Sequence, residues 1–132
     1  MKALRFVWMW LERAFLAGLF LQLFFIGMGV FPRKGDSSPF ALHKTWGYIL
    51  GDIAVLLFLI AIASRPGWKT VLMAFIVGVL TFLVQPVLAD ARTSAPIVAA
   101  FHPVTALVIF WLTLVLIRRS TALAASGVPK EA

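Results

Sequence analysis

The sequence predicts an all-α protein, a four-helix bundle that spans a membrane. Three observations predict it. Of the 132 residues, 62% are hydrophobic and only 13% are charged, which leaves too little polar surface to coat a soluble domain of this size. The apolar residues gather into four runs, about 14–31, 42–63, 70–90 and 97–117, each near the ~20 residues that cross about 30 Å of hydrocarbon. A single crossing of that length closes its own backbone hydrogen bonds only as a helix. One integral membrane domain, residues 1–132, is expected.

The first element opens with "MKALRFVWMWLERAFLAGLF". Its basic start and apolar run resemble a signal peptide, but no small-x-small cleavage pattern comes after them, so the span is expected to be retained. Residues 4–12 are read as an interfacial lead-in, with Trp8 and Trp10 at headgroup level. The second element comes after a polar loop, 32–41, and stops at "SRPGWK", where Pro66 and Gly67 break the helix and Trp68 anchors the turn. The third run contains Gln85 before Pro86. The fourth contains His102 before Pro103 and gives way to "STALAASGVPKEA", a small, polar tail expected to fray.

The net charge of +7 does not indicate nucleic acid, because the cations flank the apolar runs and form no stripe on a soluble face. They act as topology signals. Lys2, Arg5, Arg13, Arg65, Lys69, Arg118, Arg119 and Lys130 fall at one end, and Arg33, Lys34, Lys44 and Arg92 at the other. The richer end belongs in the cytoplasm. Both termini are therefore expected there, in a multi-pass protein of a bacterial inner membrane.

The two halves of the chain resemble each other. The first hairpin has Gln22 in one helix and His43 opening the next; the second has Gln85 and His102 in the same places. A small residue stands four positions after each histidine: Gly47 and Ala106. The hairpins run the same way through the bilayer, so a pseudo-two-fold axis along its normal would relate them. His43 and His102 would then face each other across the bundle near the outer face.

Two imidazoles on facing helices are an axial-ligand pair for a b-type haem. Gly47 and Ala106, one turn from each ligand, would let the macrocycle approach the helix backbone. Phe-rich walls, from twelve phenylalanines, would keep the pocket dry. Asp52 and Gln85 are expected to support the ligands. Asp52 lies nine residues beyond His43, roughly 13–14 Å deeper, and a carboxyl at that depth must pair, protonate or face water. Bland readings exist for each residue. His43 would be a wetted interfacial residue, His102 and Gln85 would repair the helix at the next proline, and Asp52 would be interhelix glue.

The segments "LHKTWGYILG", "LVQPVLA" and "AAFHPVTALVIFWL" are similar to a family of uncharacterised bacterial four-helix membrane proteins with His-x-x-x-Gly and His-Pro motifs. That resemblance covers about residues 14–119 and implies a fold without an assigned activity. The layout of helix histidines also resembles four-helix b-type cytochromes. With one histidine per even-numbered helix, the likeness implies one haem at most, and an electron-transfer or accessory subunit.

The alternative is a cofactor-free or bacteriochlorophyll-binding structural subunit of a respiratory or photosynthetic complex. Other membrane subunits or further copies of the chain are the expected partners. The absence of cysteine excludes disulfides, thiolate metal sites and thiol catalysis. No phosphate cradle, catalytic triad or metalloprotease helix is present, and no independent catalytic activity is expected.

Overall fold

A computed structural model describes residues 2–126. It is all-helical in its regular structure, and four helices are long and apolar enough to cross a membrane: Lys2–Val30, Ala41–Ser64, Trp68–Asp90 and Pro96–Ala125. In chain order these are the first to fourth spans.

Each span packs against its neighbours in the order one, two, three, four and back to one. The second and fourth lie on a diagonal, as do the first and third. This is an up-down bundle with short connections. Its centre is filled by Phe15, Leu50, Ala54, Leu57, Ala74, Val77, Ile109 and Leu116. Its outside is apolar too: Phe24 is 61% exposed, Trp111 61% and Leu107 70%. Apolar residues exposed all round a bundle are unsuited to water and suited to lipid. The chain is a multi-pass membrane protein.

The spans differ from expectation mainly at their ends. The first helix begins at Lys2, so the lead-in 4–12 is continuous with the crossing. Trp8 is buried in the core, whereas Trp10 is exposed. The fourth helix continues from Phe101 to Ser126, well past residue 117; the rest of the expected frayed tail lies outside the described residues. The second span ends at Ser64 with Arg65 in a left-handed cap, its N–H donated to the Ala61 carbonyl. Gly67 (φ 99°) then takes a backbone conformation that a side chain would strain, and the third span starts at Trp68.

The bundle end that carries this turn holds a polar layer. Glu12, Ser64, Thr70 and Ser120 are all buried there. Arg5 reaches across to donate to the Ser64 carbonyl at 3.2 Å, and Arg13 donates to Thr121 Oγ1 at 2.8 Å. Both Glu12 carboxyl oxygens and Trp8 Nε1 are buried without a hydrogen-bond partner among the described residues.

Candidate functional site: two histidines and two glutamines

His43 lies in the first turn of the second span and His102 at the start of the helix Phe101–Ser126. These two spans are diagonal partners, so side chains alone bring them together. The two imidazole rings have centroids 6.3 Å apart and planes at 68°. The two rings therefore lie side by side at one end of the bundle.

Each histidine is tied to a glutamine of the preceding span by the same pair of bonds. Gln22 Nε2 donates to the His43 carbonyl at 3.1 Å, and His43 Nδ1 lies 3.4 Å from the Gln22 carbonyl. In the second half, Gln85 Nε2 donates to the His102 carbonyl at 3.1 Å, and His102 Nδ1 lies 3.1 Å from the Gln85 carbonyl. A carbonyl only accepts, so the proton of each ring belongs on Nδ1 and the lone pair on Nε2. His43 Nε2 lies 3.5 Å from Gln22 Nε2, which agrees, because an amide nitrogen only donates. The sequence repeat is thus a repeat of hydrogen bonds.

Local chain chemistry sets up the second pair. Pro86 has no N–H and cannot continue the α-helical ladder. Just before it, residues Leu80–Val84 form a π-helical turn, in which the Gln85 N–H reaches back five residues to the Leu80 carbonyl. Such a turn holds one extra residue and rotates the helix beyond it. The rotation carries Gln85 round to His102. Pro103 costs little, because it falls in the opening turn of its helix, where N–H groups lack intrahelical partners.

Gly47 has a task of its own besides the expected ring clearance. A Cβ on Gly47 would stand 3.1 Å from Gln22 Nε2, so the glycine leaves room for the amide that grips His43. Ala106 lies half-buried one turn beyond His102. Around the first pair, Trp46 Nε1 donates to the Gly18 carbonyl at 2.9 Å and packs edge-on to Phe25 at 6.1 Å.

Asp52 does not join this group. It is exposed on the outward face of the second span. Nine residues at about 100° each bring the helix to the side opposite His43, so the expected support of the ligands by Asp52 fails on rotation. Gln22 takes the supporting place instead. Its match to Gln85 in the repeat is the one signal in the sequence that points to it.

The donor set narrows what could sit here. Among the described residues no group of three or more His, Cys, Asp or Glu could hold a metal ion. Two imidazoles alone suit a metal that arrives with its equatorial positions filled, as in a macrocycle. Two rings sharing one metal at about 2 Å per bond have centroids about 6 Å apart, and the observed separation fits. Gln22 Oε1 and Gln85 Oε1 are buried acceptors without a donor among the described residues, so the layer is not closed by protein groups alone.

Residues 22–93 match the model of DUF6220, a family of unknown function. The chain belongs to this family. The DUF6220 match covers more than half of the chain and includes Gln22, His43 and Gln85; His102 lies just beyond it. No curated protein and no solved structure matches the chain.

Proposed function

We propose that this DUF6220 protein binds one haem b between His43 and His102, and serves as an electron-transfer or accessory subunit of a bacterial inner membrane. One observation carries the reading: two imidazole rings 6.3 Å apart, each held through Nδ1 by a backbone carbonyl of the preceding span. Haem, when bound, supplies a reversible one-electron couple.

The chain's residues prepare for it. The Gln22 and Gln85 carbonyls keep the proton on Nδ1, which puts the lone pair of each ring on Nε2; that of His43 faces the Gln22 amide at 3.5 Å and would exchange this neighbour for the metal. The glutamine amides fasten the histidine backbone, so neither ring can swing away without breaking a bond in its own hairpin. The core residues Leu50 and Ile109 close the bundle beneath the pair against water. The excess of Lys and Arg at the other end orients both termini to the cytoplasm and the histidines to the outer side. A single site near one face exchanges electrons on that side, or with the cofactor of a partner subunit.

The test is a dithionite-reduced minus air-oxidised spectrum of protein purified from haem-replete cells, with His43→Ala and His102→Ala alongside. A low-spin b-type signal in the wild type, lost in both variants, is the expected result; a colourless wild type overturns the proposal. The second reading is a structural subunit without cofactor, or one carrying bacteriochlorophyll on a single histidine. The Gln–His bonds favour it in one respect, since they already join the spans of each hairpin. Far-red absorption, or no absorption, in the same experiment identifies those cases.

A further inference from the structure

The second span presents a polar face opposite its histidine. Asp52 stands halfway along Ala41–Ser64 and is exposed; Tyr48, one turn away, is 50% exposed. Neither side chain has a hydrogen-bond partner among the described residues. Glu12 is buried, and Asp36 and Asp90 stand outside or at the end of a span. Among the described residues, Asp52 is therefore the acid that the fold turns toward lipid at mid-bilayer, where an unpaired carboxyl is costly and marks a functional contact.

The pattern around it identifies what covers it. Thr45, Tyr48, Asp52, Val55, Leu59 and Ile62 succeed one another at alternating steps of three and four residues. All are exposed except Val55, which is half-buried. These positions follow an a/d seam of period 3.5 on the free side of the helix, the spacing of left-handed pairing, with Ile49, Leu56 and Ala63 exposed beside it; two copies inserted the same way meet there in parallel. Asp52 takes an a position, where one polar residue sets register and oligomeric state. In a parallel pair a d residue packs into a hole that includes the partner's next a residue, which brings Tyr48 beside the opposite Asp52. Phenol is a donor and carboxylate an acceptor, so the face satisfies itself when it meets a second copy.

We propose that the protein is a homodimer, paired through the second span about a two-fold axis along the membrane normal, with each Tyr48 hydroxyl donating to the Asp52 carboxyl of the other copy. This face is turned away from His43, so the pairing does not depend on any cofactor.

The chain contains no cysteine, which allows a direct test in proteoliposomes. Leu59→Cys, on the seam, should form a disulfide-linked dimer under mild oxidation at least tenfold faster than Leu107→Cys, exposed on the fourth span. Energy transfer between labelled copies, titrated against lipid, should show Asp52→Leu weakening association at least tenfold, with Asp52→Asn retaining it and Tyr48→Phe intermediate. Equal cross-linking at both positions overturns the proposal. So does undiminished association of Asp52→Leu, or a wild type that stays monomeric at every protein-to-lipid ratio, the outcome if an unlike helix bearing a cation is the true partner. The Leu59→Cys arm keeps Asp52 in place and decides the matter even if Asp52→Leu misfolds.

Discussion

At the scale of single residues, the site rests on how two glutamines grip two histidines. Gln22 needs the space that Gly47 leaves, since a methyl group there would stand 3.1 Å from its amide nitrogen. Gly47→Ala should therefore loosen the first pair and cost about 0.5–1.5 kcal/mol, the worth of one hydrogen bond. Thermal unfolding of detergent-solubilised protein would read it. Gln22→Leu should cost a similar amount, and the double variant no more than Gln22→Leu alone, because both changes act on one contact. Additive losses would show that Gly47 serves something other than the amide. The histidines and their small neighbours are legible in the sequence as types at a spacing. The hydrogen bonds are not, because a repeat of letters does not say which atoms meet. The place of Asp52 is legible in principle, since its angle from His43 comes from helical rotation alone; its depth, taken without that angle, misleads.

At the scale of elements, the third span carries the most consequential irregularity. The Gln85-Pro86 dipeptide announces a break in the ladder, but nothing in it specifies that residues Leu80–Val84 absorb the break as a π turn. That outcome depends on packing, with the Phe82 backbone lying against Gly51 of the second span, where a Cβ would approach it to 3.3 Å. Deleting Leu83, which faces outward at 58% exposure, should convert the turn to regular α-helix. It should leave Gln85 facing His102, because the deletion removes the one residue that the turn holds in excess. Helix content by circular dichroism should be kept, and the b-type signal of the proposed haem with it. Loss of that signal would mean that the π turn itself is needed to hold Gln85 on His102. The ends of the helices are the other illegible feature. Apolar runs report hydrocarbon thickness, whereas the first and fourth helices extend beyond it through residues whose polarity hides their regularity. Arg5 and Arg13 find carbonyl and hydroxyl partners there.

At the scale of the whole molecule, composition alone makes the fold class legible, and the charge count suggests an orientation. A fluorescent protein fused at residue 132 should fold and fluoresce in living cells if both termini are cytoplasmic, and alkaline phosphatase fused there should be inactive. The reverse result would invert the proposed topology. Each Gln–His exchange lies inside one hairpin, Gln22 with His43 and Gln85 with His102. The chain cut between Pro66 and Gly67 should accordingly reassemble from separately expressed halves, and co-purification of the two through a single affinity tag would show it. The halves differ in spacing, 21 residues against 17 from glutamine to histidine, with the surplus in the loop between the first two spans, and in the prolines and π turn of the second half.

A hairpin of this kind carries half of the site and needs only its own duplicate to complete it. The present chain has the form that arises when a gene for one such hairpin, already working as a pair, is copied in tandem and joined through a short turn, here residues 65–67. On that view the halves have diverged by a longer loop in the first and by Pro86 and Pro103 in the second, while Gln22, His43, Gln85 and His102 keep one pattern of bonds.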